Sequence, residues 1–134
     1  MTLSLNREPS PHLDPLALEE LRRQMPGRPD IFIRIIHSFL RASPDLLKAL
    51  QRAIHSRDPE AVRQAAHAMK SSNAQIGAKQ LAAMCYELEL LGSMGQLLDA
   101  DQLLADLEQE YQCVEEELGV MLVKFHSEAN APVA

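Results

Sequence analysis

An all-α fold, an antiparallel up-and-down four-helix bundle with an additional short N-terminal helix, is what this sequence predicts, on three observations. Its apolar residues are mostly Leu, Ile, Met and Ala, with aromatics at only 4% and no Trp, a palette suited to packed helices rather than sheets. Aspartate followed by proline occurs at Asp14-Pro15 and again at Asp58-Pro59, each a capping residue before a proline at the first helical position. Near the carboxy terminus, Leu104, Leu107, Tyr111, Val114, Leu118, Met121 and Phe125 alternate in steps of three and four, the seam of a helix packed along its length. At 134 residues the chain has room for one core and not two.

Taken in order, residues 1–13 hold Pro9 and Pro11 without any apolar period and read as a flexible arm. The bundle is expected over 14–127, and 128–134 as a frayed tail. A short helix opens at Asp14-Pro15 and stops at Pro26-Gly27, with Leu16, Leu21 and Met25 as a lid across one end of the bundle. A long helix follows from about Pro29 to Ser56, with Phe32, Ile35, Ile36, Phe39, Leu46, Leu47, Leu50 and Ile54 on one side. Pro44 removes one of its hydrogen bonds and is expected to kink it, although Ser43 is also placed to cap a new helix there. Ile33 and Leu40 lie to the side of this stripe and either pack under the first helix or form an exposed landing patch. The next helix starts at Pro59 and ends at Gly77, Ala78 begins another that runs to about Leu91, Gly-Ser-Met-Gly-Gln is a turn, and the last helix spans about 97–127.

Charge and cysteine usage exclude several classes. Thirteen basic against nineteen acidic residues give a formal charge of −6, with no basic stripe for a nucleic-acid backbone. No apolar run approaches the ~20 residues of a membrane span, and the amino terminus lacks a basic segment followed by an apolar one. Cys85 and Cys113 stand far apart in no metal or redox spacing, so a reducing, cytoplasmic setting is expected. The histidines show neither His-x-x-x-His nor Glu-x-x-His spacing, so no metal site is expected. The long seam is best used inside its own bundle, which favours a monomer over a coiled-coil dimer.

The functional signal is concentrated between Ala65 and Ala78, A-A-H-A-M-K-S-S-N-A-Q-I-G-A. At about 100° per residue, Val62, Ala66, Met69, Asn73 and Ile76 form one stripe, and His67 lies about 140° from Val62, so its imidazole faces water. Lys70 and Ser71 share that face one turn later, Arg63 and Gln64 one turn earlier. An exposed imidazole among small residues, with a cation in reach, is an accessible nucleophile with a counter-charge. For His12, His37, His55 and His126, ordinary solvated side chains are expected.

These residues resemble the signature of the histidine-containing phosphotransfer (HPt) domain of multistep two-component phosphorelays, roughly H-x-L-K-G-[SA]-[SA]-x-x-x-G-[AL]. Here it reads His67, Met69, Lys70, Ser71 where glycine is commonest, Ser72, Asn73 where a small residue is usual, then Gly77 and Ala78. The resemblance extends over nearly the whole chain, from Leu16 to about Phe125. It implies that His67 accepts a phosphoryl group on Nε2 from a receiver-domain aspartate and passes it to another receiver, with Lys70 offsetting the phosphoryl charge. Arg63, Gln64, Ser71, Ala74 and Gln75, with Ile33 and Leu40, are the expected docking residues. The implied partners are receiver domains and a hybrid sensor histidine kinase. No cofactor is implied on this chain, because the Mg2+ belongs to the receiver. There is no G-x-x-x-x-G-K-[ST] and no glycine-rich loop, so autophosphorylation from ATP and classical enzyme activity are not expected. Met1 and the arm favour a free-standing relay protein over an excised module. A non-phosphorylated HPt-like adaptor is the alternative, against which the presence of His67 argues. A sensor-kinase dimerisation domain would have an acid after the histidine and a proline soon beyond, and Ala68 stands there instead.

Overall fold

The computed structural model describes residues 12–24, 27 and 29–129 of the chain. Among the described residues five helices follow one another: α1 (Pro15–Arg23), α2 (Pro29–His55), α3 (Pro59–Gln75), α4 (Lys79–Met94) and α5 (Ala100–Ala129). The four long ones pack in the ring α2, α3, α4, α5 and back to α2, with α1 laid against α2. The architecture is the expected all-helical four-helix bundle with a short leading helix.

The start signals act as expected. Asp14 accepts a hydrogen bond from the Leu16 amide at 2.9 Å, and Asp58 one from the Ala61 amide at 3.2 Å. Gly77, at φ 84°, ends α3: its own amide bonds the Ala74 carbonyl and the Ala78 amide bonds that of Asn73, the paired closure of a Schellman motif. Gly95, at φ 68°, ends α4 in the same way, with Gln96 reaching the Leu91 carbonyl. Each glycine adopts a left-handed conformation that a β-carbon disfavours.

Several expectations are corrected. Of the segment 1–13 expected as an arm, residues 1–11 lie outside the described residues, while Leu13 is buried and His12 shares a hydrogen bond with Glu110 at 2.8 Å. His12 is therefore not an ordinary solvated histidine. The Asp14 amide bonds the Gly77 carbonyl and its carboxylate pairs with Lys79 at 2.6 Å, which fastens this segment to the α3–α4 connection. Leu16 is 79% exposed, while Leu13 and Leu18 occupy the N′ and N4 positions of a hydrophobic staple and are both buried. Met25 lies outside the described residues, and so does the side chain of Leu21. The α5 backbone is helical through Ala129, two residues past the expected end, and residues 130–134 lie outside the described ones.

Pro44 sits within one continuous helix, and Ser43 does not cap a new one: its hydroxyl is buried and hydrogen-bonded to the Tyr111 hydroxyl on α5 at 2.9 Å. The α5 seam holds, with Leu107, Val114 and Leu118 fully buried. At one end of the bundle Phe32 and Phe125 meet edge to face at 5.1 Å, and the Arg22 guanidinium lies over the Phe125 ring.

Gly92 reads in sequence as part of a turn, but α4 continues through it to Met94. It is buried where α4 crosses the start of α3. A β-carbon there would stand 2.7 Å from both the Pro59 carbonyl oxygen and the Arg63 amide nitrogen, backbone atoms that cannot rotate away. Gly92→Ala is expected to destabilise the fold by about 1–3 kcal/mol, as overpacking does, read as a lower urea midpoint.

Candidate functional site

Helix α3 points Val62, Ala66, Met69 and Asn73 into the core and holds His67 on the outside, its side chain 56% exposed. A rigid helix capped at both ends fixes the ring's position. The small residues Ala68, Ser71 and Ala74 leave its outer face uncovered, all three being exposed. The Ser71 hydroxyl donates to the His67 carbonyl at 3.2 Å, so it is committed to the helix backbone.

Glu89 on α4 adds a contact that the sequence motif does not contain. One of its oxygens lies 2.7 Å from His67 Nδ1 and the other 2.6 Å from Lys70 Nζ, so a single carboxylate joins the imidazole to the ammonium. The Lys70 hydrogen bond, reinforced by that of His67, holds the Glu89 carboxyl below the usual carboxylate range against the opposing effect of its burial. An ionised carboxylate only accepts, so Nδ1 carries the proton and the neutral ring keeps its lone pair on Nε2. Lys70 Nζ also lies 5.1 Å from the centre of the Tyr86 ring, a second contact that steadies it. Lys70 is thus held close to the ring, through a shared partner.

This pairing has a pH signature. A carboxyl group with a depressed pKa stabilises the fold above its unfolded value, here 4.5, and loses that contribution as the pH falls through its folded value. The stability difference between the native chain and Glu89→Gln is therefore expected to shrink on acidification below pH 4.5. Urea unfolding at several pH values measures it.

The other expected residues divide. Arg63 and Gln64 are turned to Glu60: Arg63 Nε lies 3.1 and 3.0 Å from its two oxygens, and Gln64 donates at 3.2 Å. Their hydrogen bonds point away from the ring. Gln75 lines a groove of about 280 Å³ between α3 and α2, shared with Ser72, Ser38 and Ala42 and floored by Ile35 and Phe39. Ile33 is buried in the core and so leaves the expected landing patch, because the side of α2 it occupies faces inward; Leu40 is half-buried against the same core. Beneath the site, buried Asn73 donates from Nδ2 to Cys85 Sγ at 3.5 Å, and its Oδ1 has no partner among the described residues. Burial pushes the Cys85 thiol up to about 12, so it stays protonated.

Glu89 was findable in outline. Gly77 folds α3 back on α4, so residues equally distant from the turn face each other, which puts His67 opposite the stretch Glu87 to Glu89. A reading along one helix face does not cross to the next.

No curated protein matches the chain significantly. Among solved structures, the chain is similar to histidine-containing phosphotransfer protein B from Pseudomonas aeruginosa PAO1, with a TM-score of 0.79, 29% identity, and coverage of 86% of this chain and 97% of that one. Residues 34–117 match the Hpt domain family. With a bundle of the right topology and a histidine held outward on its second long helix, the chain belongs to the Hpt domain family, and its role is histidine phosphotransfer in two-component signalling.

Proposed function

We propose that the protein is a relay intermediate: His67 Nε2 takes a phosphoryl group from an aspartyl phosphate of one receiver domain and passes it to the aspartate of another. The upstream source is a hybrid sensor histidine kinase, and the chain works as a cytoplasmic monomer. The observation that carries this reading is the Glu89 carboxylate on Nδ1, which leaves Nε2 as the exposed nucleophile. Among the described residues no helix is long and apolar enough to cross a membrane.

In the forward step the Nε2 lone pair attacks phosphorus, the bond from phosphorus to the aspartyl oxygen breaks, and its electrons return to the carboxylate. The proton on Nδ1 stays in place, and Glu89 offsets the positive charge that develops on the ring. Lys70 lies on the same face and supplies an ammonium to the arriving phosphoryl oxygens. The magnesium ion is assigned to the receiver, where it would offset charge on the transferring group. Phosphoryl transfer of this kind depends mainly on position and electrostatics, which suits a rigid helix with few reactive groups.

Incubation with a phosphorylated receiver is expected to label the protein with acid-labile, base-stable phosphate at His67, and a second receiver is expected to discharge it. Failure to label with any receiver of the source cell would instead favour a phosphate-free adaptor. Lys70→Ala is expected to slow uptake about tenfold, as loss of one charge-assisted contact does. Its far-UV circular dichroism should be unchanged, because the amine lies outside the core.

A further inference from the structure

α4 carries a row of exposed apolar side chains at helical spacing that starts beside the phosphotransfer site at Tyr86, whose ring faces Lys70, and runs on from it through Leu90 and Met94; the three are 49%, 40% and 58% exposed. Leu98, just beyond the helix, is 92% exposed. Single exposed hydrophobes are ordinary, but a contiguous row is not. Leu90, Leu91 and Met94 form one wall of a groove of about 360 Å³ between α4 and α5, and Leu103 closes the other side. The rim is acidic. Glu87, Asp99 and Asp106 line it, all exposed, and no lysine, arginine or histidine is among the described residues that do.

From this we infer that the α4–α5 groove is a docking site for an amphipathic helix of a partner protein, one that presents leucine-like side chains along one face with lysine or arginine beside them. Two antiparallel helices leave a furrow that takes the side-chain ridge of a third, and the apolar floor supplies the anchor. The rim's charge selects the partner. A second copy meeting groove to groove would set carboxylates against carboxylates, and an anionic membrane would be repelled, whereas a basic helix is drawn in. Glu87 and Leu91 lie about 160° around α4 from Glu89, so an occupant of the groove leaves His67 open to a receiver. Docking here is independent of the direction of phosphoryl flow.

The test titrates the full chain, labelled with nitrogen-15, with a leucine–lysine peptide about five turns long whose leucines follow helical spacing. A scrambled peptide of equal composition and a leucine–glutamate peptide serve as controls. The expected result is saturable shifts of the amides of residues 87–94 and 99–106. Binding should be at least about tenfold weaker for the scrambled peptide and for a Leu90→Ser, Met94→Ser double variant. Reversing the rim with Glu87→Lys and Asp106→Lys should favour the leucine–glutamate peptide instead. Phosphoryl uptake at His67 should continue with the groove saturated. The inference is overturned by equal binding of the scrambled peptide, by shifts spread over the acidic face of α5, or by binding that ignores the double variant. Self-association that the same variant abolishes, or α4 shifts produced by phospholipid vesicles, would equally overturn it by naming another occupant. All variants lie on exposed positions, and their helical signal checks that they fold.

Discussion

A His67→Gln chain is expected to take up no phosphoryl group, and a Glu89→Gln chain to take it up more slowly by a factor on the order of 10 to 100, the usual cost of losing the partner that orients a histidine. The two differ because one removes the nucleophile and the other only its orientation. Glutamine at 89 can still accept from Nδ1, but it can also donate to it, so the ring is no longer held with its lone pair on Nε2. It also lacks the charge that offsets a developing imidazolium. Single-turnover transfer from a phosphorylated receiver measures both. Uptake by Glu89→Gln at the native rate would show that the ring finds its tautomer without help, and label on the His67→Gln chain would place the site elsewhere.

The second large effect concerns the scaffold. Leu107→Ala is expected to cost about 2–5 kcal/mol, since its side chain is fully buried in the α5 seam and its loss leaves a cavity. A fall in the urea midpoint with an unchanged slope is the expected signature, because the surface exposed on unfolding hardly changes. A loss below about 0.5 kcal/mol, the level of ordinary surface substitutions, would mean that the seam faces water. At pH and temperature where the variant is still folded, phosphoryl uptake should proceed at the native rate. The buried seam carries this part of the stability, and the exposed imidazole on α3 stands apart from it.

Much of this was legible in the chain because the relevant signals are local. The period of apolar residues on α3 is enough to put His67 outside and Met69 inside, and the aspartate-proline pairs and Gly77 mark helix ends by chemistry that acts within a few residues. What escaped depends on contacts between helices. Glu89 is one of two acids on α4, beside Glu87, and only its position across from His67 gives it a role. Gly92 reads as turn punctuation beside Gly95, yet its function is to let two backbones approach. Leu18 rather than Leu16 is buried because the staple with Leu13 sets the entry angle of α1, and Leu13 shows no apolar period that would part it from the arm. Ile33 was ambiguous for the same reason: its angle on α2 was clear, but not what lay beside it.

On the proposed role of His67, the bridge made by Glu89 would continue to act once the phosphate has arrived. The incoming group brings its own negative charge close to a carboxylate that is already ionised, and it competes with that carboxylate for the same ammonium. The charged form is thus left in mild electrostatic discomfort, which raises its free energy without moving the backbone. On the relay role proposed above, a carrier built this way would hold its cargo loosely and hand it on when a better-matched acceptor comes into reach.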